Sequence, residues 1–292
     1  MAGATTTIAD GIYAVGFNPG LIAFQKDKPF MLQLGGFDFG LGNNYLSMAA
    51  MRALSGDTLD NDEKTTIINR LENSGGLTFD MNGQIAIPGI NYAAGNMAIT
   101  SNFMYMSSYA IPAGMARLML EGNANNPDVD MTLGMEIMGV NEVGFSFAVP
   151  YESFAVGFTL KYLQGIFYMG IDPDSSQANF VTTPQAVYGS GTYHLRQGFG
   201  GAGYGIDIGL ATKEVNGMRF GVSLINAIGT IGWNKPSFIK DIMEYPLKWK
   251  GERLSDSVAV LYTYKIDSLR ADNLSGTSLF SSSSTVVKNL DE

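Results

Sequence analysis

Strict two-residue alternation constrains this chain more than any other feature. Phe154, Val156, Phe158, Leu160 and Tyr162 fall on one side of an extended segment, and Ser153, Ala155, Gly157, Thr159 and Lys161 on the other. Just before it, Val143, Phe145, Phe147 and Val149 oppose Gly144, Ser146 and Ala148. The pattern returns in Tyr204, Ile206, Ile208 and Leu210 against Gly205, Asp207, Gly209 and Ala211. It returns again in Val258, Val260, Tyr262 and Tyr264 against Ser257, Ala259 and Thr263. A helix would mix the two sets of side chains, so the chain is read as all-β.

The second face of these strands is unusual. A soluble sandwich turns its second face to water and fills it with Lys, Glu, Arg and Thr. Here that face is Gly, Ala and Ser, and the whole chain is only 15% charged, against about 25% in ordinary globular domains. With 36 glycines in 292 residues and 46% hydrophobic residues, the composition is neither disordered nor collagen-like. In a transmembrane β-barrel the large apolar face meets lipid and the small polar face meets the lumen. That partition is the one seen. No run of 18 apolar residues supplies a transmembrane helix, which leaves the closed barrel as the other structure able to span a bilayer.

Turn dipeptides at Asn82-Gly83, Gly95-Asn96 and Asn216-Gly217 punctuate the strands. About ten strands are expected, at 28–41, 76–88, 95–108, 131–140, 142–150, 153–171, 178–194, 203–214, 217–232 and 256–266. Asn44–Leu54 is helix-compatible, with Tyr45, Met48 and Met51 at helical spacing. Asp60–Asn73 is the clearest helix: Asp60 and Glu63 have capping-box spacing, Ile67, Ile68 and Leu71 form a stripe, and Gly75 ends it. Pro112–Glu121 is a third short helix. Segments 233–255 and 267–292 read as loop or weakly ordered, the second being Ser-rich. No repeat with a period of 20–50 residues is present.

Several function classes are excluded or weakened. A net charge of −9 speaks against nucleic acid. Without cysteine there is no disulfide, thiolate nucleophile or cysteine metal site, and the composition suits an oxidising compartment. One histidine, His194, precludes a multi-histidine metal centre, and no partner is evident for it as a catalytic group. Gly198-Phe199-Gly200-Gly201-Ala202-Gly203 matches a dinucleotide pattern, but a strand follows it where a helix is required, so it reads as a glycine-rich strand. The acidic stretches 57–63, 128–130 and 172–174 lack EF-hand spacing. No enzyme, metal or cofactor is expected. Tyr162, Tyr168, Tyr188 and Trp233 near strand ends suit an aromatic girdle. Met97, Met104, Met106, Met115 and Met119 are candidates to line an apolar channel, since flexible thioethers adapt to greasy ligands; lipid contact and plain packing use Met equally.

The run Ala9-Asp10-Gly11-Ile12-Tyr13-Ala14-Val15-Gly16-Phe17-Asn18-Pro19-Gly20-Leu21-Ile22-Ala23 resembles the mature N-terminal segment of FadL-like outer-membrane proteins, the group of the long-chain fatty-acid transporters and the PorV-like proteins of type IX secretion. Gly40-Leu41-Gly42-Asn43-Asn44, the capped helix 60–73 and Gly229-Thr230-Ile231-Gly232-Trp233-Asn234 are similar to a less characterised branch of that group, in scattered blocks over about 1–235. The resemblance implies an N-terminal plug over 1–27, with Asn18, Pro19, Gly20 and Leu21 as its hatch, then barrel strands over 28–266 with helical insertions at 44–73 and 112–121, and a polar tail over 267–292. It implies a bacterial outer-membrane protein that passes or binds a hydrophobic small molecule such as a fatty acid, without chemistry. A PorV-like secretion scaffold and a soluble or surface-attached β-sandwich adhesin are the other readings, and protein partners are left open. The chain departs from the group in lacking an Ala between Pro19 and Gly20, a basic leader at Met1–Thr7 and a final aromatic strand. The expectation is therefore a barrel lacking strands at its C-terminal end.

Overall fold

A computed structural model describes residues 5–25, 30–45, 47, 59–122, 127–172, 174–184, 187–233, 258–271 and 283–289. The fold is a mostly antiparallel β-sheet with few helices. In chain order the strands are β1 (Phe30–Gln33), β2 (Gly36–Asn43), β3 (Leu77–Ala86), β4 (Asn91–Ala94), β5 (Met97–Ile111), β6 (Asp128–Asp130), β7 (Gly134–Pro150), β8 (Phe154–Ile171), β9 (Gln177–Thr182), β10 (Val187–Thr212), β11 (Gly221–Gly232), β12 (Val258–Ala271) and β13 (Ser283–Asn289). The hydrogen-bonded path across the sheet runs β1-β4-β5-β7-β8-β10-β12-β13. β2 and β3 prolong the first two positions, with β3 pairing β5 through Asn102–Ile111 beyond β4. β10 is long enough to hold two neighbours on one edge, β11 along Ala202–Ala211 and β12 along Val187–Phe199. Among the described residues, no pairing joins the β1/β2 edge to β13.

Helices are α1 (Thr5–Ile8), α2 (Asn61–Asn73) and α3 (Ala113–Glu121), with 3-10 turns at Gly11–Ala14 and Pro19–Phe24. The expected capping box of α2 is complete: Glu63 N donates to Asp60 Oδ1 at 2.8 Å, and Asp60 N donates to Glu63 Oε2 at 3.0 Å. Gly75 and Gly76 follow it with φ of +74° and +106°, a turn only glycine makes without strain. Ile68 and Leu71 are its buried stripe. Asp60→Ala should cost about 1 kcal/mol of local helix stability. Hydrogen exchange would show it as faster exchange across 61–73 with the strands unchanged; equal exchange in α2 would contradict it.

Several sequence boundaries are corrected. Segments 131–140 and 142–150 are one strand, β7. Segments 178–194 and 203–214 give way to β9 and the 26-residue β10, because the glycines between them continue the ladder. The segment 28–41 is interrupted at Leu34-Gly35, giving β1 and β2. The region read as a loose tail contains the end of β12 and the whole of β13, paired from Val260↔Asn289 to Ile266↔Ser283. The helix expected at Asn44–Leu54 falls mostly outside the described residues.

The two faces of the sheet differ: small residues are buried on one and large apolar residues are exposed on the other. Along β8, Ala155, Gly157, Thr159, Lys161 and Leu163 are buried, while Phe154, Leu160 and Ile166 are exposed. β2 carries Phe37, Phe39 and Leu41 on its outer face, Phe37 at 74% and Leu41 at 73% exposure. On β11, Val222 and Leu224 are exposed at 68% and 60%. Register aligns these residues sideways, as in Phe147↔Phe158, Ile208↔Phe158 and Ile208↔Leu224. The ends of the sheet also differ. At one end β7 joins β8 through 151–153 and β10 joins β11 through 213–220. At the other, β2 reaches β3 through 44–76 and β5 reaches β7 through 112–133, excursions that carry α2, α3 and β6.

Candidate functional site

The small-residue face is covered by the chain's own N-terminus. The turn Pro19–Phe24 lies across β7, β8 and β10, with Asn18, Pro19, Gly20, Leu21 and Ile22 buried. Asn18 anchors it. Its Oδ1 accepts from Gly20 N at 3.0 Å, and its Nδ2 donates to Thr6 O and to Leu210 O, each at 3.0 Å. Strand glycines make the seat. A Cβ at Gly157 would collide with the Pro19–Gly20 peptide, and one at Gly209 with Asn18 Oδ1 and Pro19. At Gly221 it would come within 2.9 Å of Thr6 O. The four residues expected to form a hatch, Asn18 to Leu21, are thus brought together against the sheet.

Farther along the same face is a buried ion cluster that the sequence reading did not single out. Lys161 Nζ lies 3.2 Å from Glu142 Oε2, 2.9 Å from Asp207 Oδ2 and 3.0 Å from Asn226 Oδ1. The Lys161 side chain is 3% exposed and that of Asp207 is 0% exposed. A bulge in the β10–β11 ladder between Ile206 and Ile208 aims Asn226, at φ +53°, toward the cluster. The backbone N–H of Asn226 donates to Asp207 Oδ1 at 2.7 Å. Gly205 separates Lys161 from Asn226, and its missing side chain lets the ammonium reach across β10. The three acceptors match the three N–H donors of an ammonium.

Beyond the cluster lies a cavity of about 340 Å³. Its walls include Met104, Met106, Met138, Val140, Leu163 and Trp233, and Glu142, Asn226 and Thr230 are the polar residues that line it. Trp233 fits against three glycines, Gly165, Gly198 and Gly201, where a Cβ would stand 2.5 to 3.2 Å from the residue. The glycine-rich stretch of β10 therefore makes room for an aromatic side chain. Tyr168 stacks on Trp233 with ring centroids 5.5 Å apart, and its hydroxyl donates to Glu136 Oε1 at 2.9 Å. This packing places Tyr168 and Trp233 on the small-residue face, so they are not the girdle expected of them. A second space of about 340 Å³ follows, lined by Glu136, Tyr168, Asp172 and Arg196 among others. Arg196 pairs with Asp172 there. The Ser175 hydroxyl, ahead of Arg196, holds the Asp172 carboxyl below its ordinary range.

The five candidate methionines separate. Met104 and Met106 line the cavity, and Met138 joins them. Met97 pairs with Phe147 and is exposed on the opposite face, while Met115 and Met119 belong to α3, Met119 at 81% exposure. Helical spacing could not have been distinguished from strand register by counting methionines. His194 is half-buried in β10, its N–H donating to Ser176 Oγ at 2.9 Å. Among the described residues, no three potential metal ligands cluster.

No curated protein and no solved structure matches this chain. Residues 19–274, from Pro19 of the buried turn to past β12, match one family model. The chain belongs to that family, the family of unknown function DUF5723.

Proposed function

We propose that this protein is an outer-membrane β-barrel that binds or passes a hydrophobic small molecule. The inverted partition of the sheet carries the reading. Large apolar side chains on β2, β5, β7, β8, β10 and β11 are exposed together, where a soluble monomer keeps its exposed apolar patches small. Lipid is the solvent that such a surface suits. The 17 residues of β7 extend about 56 Å, enough to cross a hydrocarbon core of about 30 Å with margin at both ends. Short turns at one end and long excursions at the other follow the usual division between periplasmic and extracellular sides. On this reading the buried turn Pro19–Phe24 is a plug on the periplasmic side, and the Met-lined cavity holds the ligand. Binding and passage need only a fitted apolar space and a movable plug.

Detergent dependence tests the membrane reading. Expressed with an outer-membrane leader, the protein should sediment with outer membranes, resist carbonate or urea extraction, and stay dispersed only in detergent. Monodisperse protein in detergent-free buffer would rule it out.

A further inference from the structure

The proposed cavity has a polar end whose chemistry specifies a ligand. From the geometry we infer that the cavity takes an alkyl chain ending in a neutral or cationic hydrogen-bond donor, an alcohol or amine, and disfavours a carboxylate. This rests on the reading of the cavity as a ligand site.

Lys161 is the one cation in the buried cluster, ion-paired with Glu142 and Asp207 and donating to Asn226 Oδ1. It sits behind Glu142 and is not part of the cavity lining, whereas Glu142 is. Among the described residues, no donor other than Lys161 reaches the Glu142 carboxylate. One ammonium against two carboxylates leaves the cluster formally at −1. A ligand head arriving at this end therefore meets an acceptor with negative charge behind it. A second carboxylate would meet like charge at this buried acceptor, an arrangement that selects against it. A hydroxyl or ammonium would instead donate to Glu142. The Trp233 indole adds an aromatic wall that tolerates a cation. Met104, Met106, Met138, Val140 and Leu163 supply apolar surface for the chain.

The test uses three probes of equal chain length, dodecanol, dodecylamine and dodecanoate, offered in equimolar pairs to the detergent-solubilised full chain at neutral pH. Complexes are counted by native mass spectrometry. Dodecanol and dodecylamine should each outcompete dodecanoate by at least about tenfold. Glu142→Gln should reduce the dodecylamine advantage while retaining dodecanol. Met106→Phe, which narrows the cavity away from the ions, should reduce capture of all three. Dodecanoate binding as well as the others would overturn the inference, as would failure of a detergent-dependent, folded protein to retain any probe. Both failures leave the membrane reading standing, because that reading is overturned only by solubility without detergent.

Discussion

Gly157→Val should unseat the N-terminal turn from the sheet. The obstacle is backbone: a Cβ at position 157 meets Pro19 C, Pro19 O and Gly20 N. A flexible side chain could swing away, but this peptide is fixed by Asn18, whose amide is bonded to Thr6 and Leu210 and whose Oδ1 holds Gly20. Either the turn lifts or β8 shifts, and β8 is held by full ladders to β7 and β10. The turn therefore gives way, at a cost near the upper end of overpacking, about 3 kcal/mol. Limited proteolysis should cut within 5–25 much faster than in the parent protein. Conductance of the protein in planar bilayers should rise if the turn plugs a lumen. Gly83→Val is the control, since its nearest atoms, Asp38 O and Tyr105 Cβ, stand at ordinary contact distances of 3.8 and 4.0 Å. Equal protease sensitivity of the parent and Gly157→Val would mean that the turn is not seated by this contact.

Lys161→Met should destabilise the fold more than any other single charge removal. Methionine nearly conserves shape but leaves Glu142 and Asp207 buried without their shared cation. Breaking a buried pair from one side typically costs about 3–5 kcal/mol, because the remaining charge is uncompensated. Two carboxylates are stranded here, so the upper part of that range is expected. Adding Glu142→Gln and Asp207→Asn should recover most of the loss, since the triple variant buries no charge. Guanidinium unfolding in detergent checks both: the midpoint should fall for the single variant and rise again for the triple. A single variant as stable as its parent would show that solvent reaches the cluster.

Much of the strand architecture was legible because alternation is local. Gly157, Gly205 and Gly209 belong to the small-residue face that the sequence assigns them, and Gly157 and Gly209 meet the N-terminal segment there. Lys161 and Asp207 also lay on that face in the pattern, and Glu142 continues it by two residues from Gly144. The signal for the ion cluster was thus present, as charge on a face otherwise made of Gly, Ala and Ser. What the pattern could not supply was their meeting. Lys161 and Asp207 are brought together by the pairing of β8 with β10, and Asn226 by a bulge in the next strand.

The 198–203 glycines show the same limit. Read alone, they suggested a glycine-rich strand without saying which strands it joins; in the fold, β10 runs through them and two of them shelter Trp233. The split of the methionines is similar, since Met97 and Met104 lie on opposite faces of β5 for the simple reason that they differ by an odd number of residues.

By itself, then, the sequence determined that this chain makes long strands with one large apolar and one small face, and a capped helix at 61–73. Those features depend on neighbours within a few positions, where spacing and side-chain chemistry are sufficient. Only the tertiary structure decided which small residues seat the N-terminal turn, which charges neutralise one another and where the cavity lies. Those depend on cross-strand register, and a ladder between distant segments is fixed by the whole set of pairings at once.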